Sequence, residues 1–353
     1  MSGLGWRVGV ELELMAPAGR TRRDLAVALA GAGGMVEPFF HPQSEPSLVE
    51  GMKTFESLTL GFRSLDSAGR PVASCVDDLT LRDRLDPNAP ARPGWYRIVS
   101  DDLRLLHLVR RLAEPTEGAH AAVVPTAAAF GTRPTPGPGG MWRVVDEIGS
   151  PICIAAPVPG ERERPCEIVT PPIEPDADFE QVISQLLKTA VSLGFSVPTE
   201  AATHLHLDAS RLESAGAVAN LVELLTTWGP ALKTHLRTNP RCTRLGAWPE
   251  ALLEVVRAPD FRSLEWSAAR ERLAQVGLSK YVDFNLKNLA HPRSDKRTFE
   301  VRILPGTVDS ALVGQWARLW VAIAERATAE PVRPRAPQPT VDGLWDVLGA
   351  TPA

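Results

Sequence analysis

Ionisable residues recur two apart along three short segments of this 353-residue chain. They are Glu11 and Glu13 in VGVELELM, His204 and His206 (followed by Asp208) in THLHLD, and Glu300 and Arg302 in TFEVRIL. A spacing of two puts both members of a pair on one face of a β-strand. The residues between them are apolar: Val10, Leu12 and Leu14; Leu205 and Leu207; Phe299, Val301 and Ile303. A fourth segment, CEIVTPPI, offers Glu167 beside Ile168 and Val169. A solvated sheet face normally mixes Thr, Ser, Lys and Arg. Here one face would gather carboxylates and two imidazoles. Carboxylates that share a face raise each other's pKa, and a divalent cation removes that repulsion. Oxygen donors suit Mg²⁺ or Mn²⁺, and Mn²⁺ also accepts imidazole. Each pair alone is common; the matching phase of three pairs plus Glu167 points to a metal-lined sheet.

Carboxylates, imidazoles and an arginine on one sheet face suit phosphoryl transfer. Metal neutralises a triphosphate, and an arginine stabilises charge on the transferred group. The chain has no Walker A sequence and no GxGxxG. A nucleotide would therefore be held through metal rather than through a glycine loop.

These residues need elements to position them. Residues 7–15 alternate strictly and read as a strand, ended by Pro17 and Gly19. Thr21 caps a helix that stops at Gly33-Gly34. Strands are predicted over 141–145, 166–173, 203–208, 280–286 and 297–304. Helices are predicted over 176–194, 209–236 (broken at Gly229-Pro230), 263–275 and 309–328. Residues 36–140 read as an inserted α+β element, with a hairpin around Ala68-Gly69 and a helix capped near Ser100–Asp102. This insertion is expected to be a lid or a substrate-specificity element. Its Asp77-Asp78 and Asp101-Asp102 pairs would either meet a cationic substrate or serve as turn and cap residues. Residues 330–353 form a Pro-rich linker and tail, in which Gly343–Gly349 reads either as a short docking helix or as a disordered end.

Hydrophobic residues make up 44% and charged residues 23%, the composition of a globular chain. The net charge is -4, which gives no electrostatic footprint for nucleic acid or an anionic membrane. The four cysteines contain no CxxC pair, so a zinc knuckle or redox motif is not expected. The N-terminal residues carry no apolar h-region, and the chain is expected to be cytoplasmic. His41, His107, His120, His235 and His291 are isolated, and Trp228, Trp316 and Trp320 fall on helical faces as core residues.

The segments GVELEL, CEIVTPPI, THLHLD, RTNPRC, KYVDFNL and TFEVRILPGT, in that order, resemble the amidoligase family of glutamine synthetase-like carboxylate–amine ligases. The resemblance spans residues 7–34 and about 141–325. It implies an α+β fold with a curved antiparallel sheet and helices on its convex side, formed by residues 1–35 and 141–329. It also implies ATP and Mg²⁺ as cofactors, and amide formation through an acyl phosphate from a small-molecule or peptide carboxylate and an amine. Carried over by motif, Glu11, Glu13, Glu167, His204 and Glu300 would ligate metal. Arg302 would contact phosphate or a substrate carboxylate, and His206 would sit beside the nucleotide or a second metal. Arg237, Asn239 and Arg241 would face the site's mouth and meet nucleotide or substrate. A phosphagen-type guanidino kinase, a metal-dependent hydrolase and a non-catalytic nucleotide- or peptide-binding module stay open as alternatives.

Overall fold

The computed structural model describes residues 5–46, 54–115, 118–176, 178–242, 244–291, 296–329 and 339–349. In chain order their elements are β1 (Val8–Met15), α1 (Arg22–Ala30), β2 (Met35–Pro46), β3 (Thr54–Leu65), β4 (Pro71–Val76), β5 (Tyr96–Val99), α2 (Leu103–Leu112) and α3 (Ala119–Ala129). There follow β6 (Thr135–Pro136), β7 (Trp142–Val145), β8 (Pro151–Pro157), β9 (Pro165–Val169), α4 (Phe179–Ser192), β10 (Ala202–Asp208) and α5 (Ala215–His235). The last are α6 (Glu250–Arg257), α7 (Trp266–Gln275), β11 (Phe284–Asn285), α8 (Lys287–Ala290), β12 (Thr298–Pro305), α9 (Ser310–Thr328) and α10 (Val341–Leu348). The chain divides into two compact units. The first is Met1–Leu12, Thr170–Lys188 and Glu200–Ala353; the second is Glu13–Val169 and Thr189–Thr199.

In the first unit the strand order is β11–β12–β10–β1. All three pairings are antiparallel. The alternation seen in the sequence is what the ladder uses. Leu205, Leu207, Phe299, Val301 and Ile303 are fully buried on the apolar side. The Trp320 ring of α9 lies 5.5 Å from Phe284 and 6.4 Å from Phe299, and α9 packs on α5. Local signals start these helices: Ser214 accepts from the Ala217 N–H, and Asp309 accepts from Ala311 and Leu312. Trp228, Trp316 and Trp320 are buried, as their helical phase implies.

In the second unit the order is β1–β9–β4–β3–β5–β8–β7–β6, with β2 paired to β3. From β9 to β6, and between β2 and β3, the pairings are likewise antiparallel. Thr21 and Asp24 form a reciprocal capping box at the start of α1. Residues 36–140 hold strands and two helices, α2 and α3. Asp102 caps α2, and its own helix and Arg104 hold its carboxyl down at about 2.

The structure corrects the fold expected from the resemblance. The protein has a mixed α+β fold with a large antiparallel sheet, but that sheet is neither curved nor closed. No strand pairs back to the start of its run. Alternation encodes which face of a strand is buried. Curvature is set by bulges and glycine kinks, which alternation does not encode. Three smaller corrections follow. The strand expected over 280–286 is only Phe284–Asn285. Helix α5 runs through Gly229-Pro230 to His235, because Trp228, Gly229 and Leu232 are buried and hold it. The tail helix does form, with Leu344 buried and the Arg326 side chain donating to the Val347 carbonyl at 3.0 Å; residues 330–338 of the linker lie outside the described residues.

Asp77 is a buried structural ion rather than a group offered to a cationic substrate. It lies 2.9 Å from the Arg162 guanidinium and 3.9 Å from that of Arg22. Arg22 also donates to the carbonyls of Leu60 and Arg162, both at 2.8 Å, and lies over the Trp95 ring at 4.5 Å. Burial lowers the Arg22 pKa and the Asp77 charge opposes that shift. Removing the carboxylate would strand two buried guanidinium groups. Asp77→Ala is therefore expected to cost about 3–5 kcal/mol in urea unfolding. A loss under about 1 kcal/mol would mean that Asp77 does not hold this unit together.

Candidate metal centre

The registers of the first unit decide which polar residues meet. Glu11 pairs with His204 and Gly9 with His206 across β1 and β10. His206 pairs with Glu300 across β10 and β12, and Asn285 pairs with Glu300 across β11 and β12. Residues directly opposite in an antiparallel ladder share a face. Gly9, Glu11, His204, His206, Glu300 and Asn285 thus stand on one face. Gly9 contributes no side chain, and a Cβ there would lie 3.6 Å from the His206 Cβ. The register shifts between Thr203 and Leu205, where β12 carries the extra residue opposite His204.

Side chains converge on this face. The Glu11 carboxylate lies 3.1 Å from His204 Nδ1 through Oε2 and 3.0 Å from His206 Nε2 through Oε1. His206 Nε2 is also 3.9 Å from Glu300 Oε1. The His206–Glu11 approach lacks hydrogen-bond geometry. Its nitrogen and the two carboxylates are aimed at a common space rather than bonded to each other. Glu300 is held from both sides. Asn285 Nδ2 donates to its Oε2 at 2.6 Å, and the Arg302 guanidinium donates to its Oε1. Asn285 is itself fixed by accepting from the Lys287 N–H at 2.8 Å. Glu300 and Asn285 are 5% and 3% exposed, so neither carboxylate nor amide relies on water.

The electrostatics follow from that burial. Burial alone would raise the Glu11 pKa, but the His206 charge, with the hydrogen bond and charge of His204, outweighs it and holds the carboxyl well below its ordinary range. Glu300 is lowered in the same way: burial raises it, and His206 and Arg302 more than reverse that. Burial lowers the pKa of His206, and the charges of Glu11 and Glu300 outweigh it and raise the imidazole above its ordinary value.

Glu11, His206 and Glu300 each offer a ligand atom, all within 4.8 Å of one another. Two carboxylate oxygens and one imidazole nitrogen, Glu300 buried and Glu11 and His206 half-buried, fit a divalent cation. The nitrogen favours Mn²⁺ over Mg²⁺. Of the residues predicted from sequence, the structure brings together Glu11, His204, His206, Glu300 and Arg302. Glu13 shares a face of β1 with Glu11 by alternation, and Glu167 lies on β9; both belong to the second unit and are buried. Arg237, Asn239 and Arg241 follow α5 in a loop anchored by Thr238 Oγ1 to the Ile303 carbonyl at 2.7 Å and by Asn239 Nδ2 to the Ala201 carbonyl at 3.0 Å. Arg237 takes a left-handed φ of 54°. Asn285 joins this face from the segment KYVDFNL, where it stands two residues after Asp283 with Val282, Phe284 and Leu286 alternating.

A family model described as "Putative amidoligase enzyme" matches residues 4–324. The chain belongs to the amidoligase family. No curated protein and no solved structure matches it. Family membership supports an amidoligase-type ligase activity, with carboxylate and amine as the substrate classes. No helix among the described residues is long and apolar enough to cross a membrane.

Two outcomes are expected of this candidate metal centre. Without metal, the His206 attraction is fully present below the ordinary histidine value of 6.5 and is lost as pH rises through the raised one. The Glu11 and Glu300 contributions are present above their ordinary 4.5 and lost as pH falls through the lowered values. The melting temperature of wild type minus that of His206→Gln, measured in chelator, should therefore be greatest between pH 4.5 and 6.5 and shrink on both sides. A difference that keeps growing to pH 8 would contradict the cluster. The second outcome concerns Asn285→Ala, which frees Glu300 to rotate. It should weaken Mn²⁺ binding about 10–100-fold by titration calorimetry, and an unchanged affinity would separate Asn285 from the site.

Proposed function

We propose that this chain is an ATP-dependent carboxylate–amine ligase acting on the Glu11–His206–Glu300 face. The observation that supports this reading is the convergence of those three ligand atoms beside Arg302 in a member of the amidoligase family. A bound Mg²⁺ or Mn²⁺ would supply charge neutralisation for a triphosphate. Glu11, His206 and Glu300 would hold it. His204 orients Glu11 through its Nδ1, and Asn285 orients Glu300. Arg302 is buried, already aimed at Glu300, and supplies the cation for the transferred phosphoryl group or the substrate carboxylate. Arg237 and Arg241 follow α5 and supply further cations for nucleotide.

The chemistry balances without a covalent enzyme intermediate. A carboxylate oxygen of the acid attacks the γ-phosphorus, and ADP leaves. The amine nitrogen then attacks the acyl carbon, orthophosphate leaves with the old carboxylate oxygen, and the amine releases a proton. The protein's part is to position both substrates and neutralise charge. The insertion at 36–140 is assigned the choice of substrate, since specificity resides in segments added to a rigid scaffold.

The test is a set of melting curves with Mg²⁺-ATP, Mn²⁺-ATP, ATP plus chelator, and metal alone, on wild type and Glu300→Gln. A ligand at ~100 times its dissociation constant stabilises by about 2.7 kcal/mol, which shifts the melt by a few degrees. The expected result is a metal-dependent ATP shift that Glu300→Gln loses, followed by orthophosphate release when acid and amine are supplied together. ADP formation on guanidino compounds without orthophosphate would make it a kinase. A shift with metal but with no nucleotide would favour a hydrolase or a binding module.

A further inference from the structure

Within the first unit, a cavity of about 540 Å³ opens between α5 and residues 246–253. Its apolar walls are Leu225, Trp248, Leu253 and Phe284, and its charged groups are Lys233 and Asp283. That volume falls in the range of small-molecule sites, about 300–1,000 Å³. The walls are fixed by hydrogen bonds. The Trp248 indole N–H donates to the Phe284 carbonyl at 2.5 Å. Asp283 Oδ1 accepts from the Gly246 N–H at 3.0 Å, and the Asp283 N–H donates to the Gly246 carbonyl at 2.8 Å.

The second carboxylate oxygen, Asp283 Oδ2, meets Lys233 Nζ at 2.9 Å. The Lys233 side chain keeps 36% of its surface exposed and that of Asp283 keeps 14%, so the pair can be approached from the cavity. We propose that this cavity binds a free α-amino acid with an apolar side chain. An α-ammonium and an α-carboxylate are joined through one carbon, so they sit side by side as the Lys233 and Asp283 charges do. Laid head to tail on that pair, the zwitterion places its carboxylate on Lys233 and its ammonium on Asp283. Each protein charge then gains a second partner and loses none. A dipeptide separates its termini by several more bonds and could not meet both charges without opening the pair. Pro230 has no N–H to donate to the Thr226 carbonyl, so that oxygen lacks its usual helical donor on the same wall. The side chain of the amino acid would rest against Trp248, Leu253 and Leu225.

The site is joined to the metal face through β11. The Asp283 carbonyl accepts from the Arg302 N–H at 3.0 Å, and Asn285, two residues on, holds Glu300. Two residues of strand span roughly 7 Å. That the bound amino acid serves as the amine substrate rests on the ligase reading; that it binds does not.

The test is titration calorimetry on the full chain, without nucleotide or metal, using L-leucine, L-methionine and L-phenylalanine. L-Leucinamide lacks the carboxylate, and N-acetyl-L-leucine lacks the ammonium. Each charged contact is expected to contribute about tenfold or more. Both analogues should therefore bind at least about tenfold more weakly than leucine, and so should leucine to Lys233→Met and Asp283→Asn. Asp283→Asn keeps an oxygen for the Gly246 N–H, so it should fold, and the two analogues test the idea on the unaltered chain. No binding of any of the three amino acids up to millimolar concentration would overturn the proposal. So would equal affinity for leucine and its two analogues. Because ATP is absent, neither result bears on the ligase reading, which the melting curves test separately.

Discussion

The register of three antiparallel strands is the constraint on which the candidate site depends. Glu11, His206 and Glu300 lie on β1, β10 and β12, more than ninety residues apart in sequence between each neighbouring pair. They meet because Gly9 faces His206 and His206 faces Glu300. A slip of one residue would send the polar set to the other face and bring the buried leucines and valines with it. The apolar alternation therefore does more than make a core. Burying Val10, Leu205 and Val301 on one side fixes which carboxylates and imidazoles share the other. Stability and site geometry are specified by the same residues read on alternate faces.

Buried acids serve two different ends in this protein, and their partners tell them apart. Asp77 is enclosed by two guanidinium groups that cannot deprotonate in the working range. Its charge is permanently matched, which suits a structural ion. Glu11 is matched by imidazoles, whose charge can be withdrawn. When His206 is neutral its nitrogen has a lone pair to offer a cation, and neither carboxylate keeps the imidazolium charge as a partner. Glu300 is intermediate, with Asn285 on one oxygen and Arg302 on the other. The amide fixes its direction without adding charge. Arg302 balances it until another anion, or a metal, redistributes the charges.

The site was legible where chemistry and secondary structure share a period. The i, i+2 pairs in VGVELELM, THLHLD and TFEVRIL announced their strands and their polar face together. Asn285 stands two residues after Asp283 in an alternating segment, and register then gives it Glu300 as a partner. What escaped had no such coincidence. The Asp77 partners are separated from it by 55 and 85 residues, so its burial could not be read from its own segment. Pro230 read as a breaker because local propensity disfavours it. Tertiary packing around Trp228 and Leu232 overrode that cost. The openness of the sheet was invisible for a related reason: pairing is a property of faces, while curvature is a property of irregularities.

The shortness of β11 has a consequence for how the first unit works. A longer edge strand would present more unpaired backbone and be harder to protect. Two residues are enough to place Asn285 against Glu300, and the chain then turns at once into α8, whose first residue, Lys287, caps the Asn285 amide oxygen. On its other side the chain reaches Asp283, which bonds Gly246 through side chain and main chain and receives the Arg302 N–H. A three-residue stretch thus carries a cavity wall, an arginine's backbone and a carboxylate's orientation. Displacing Asp283 would pull on Arg302 and Asn285 together, because the same short backbone holds both.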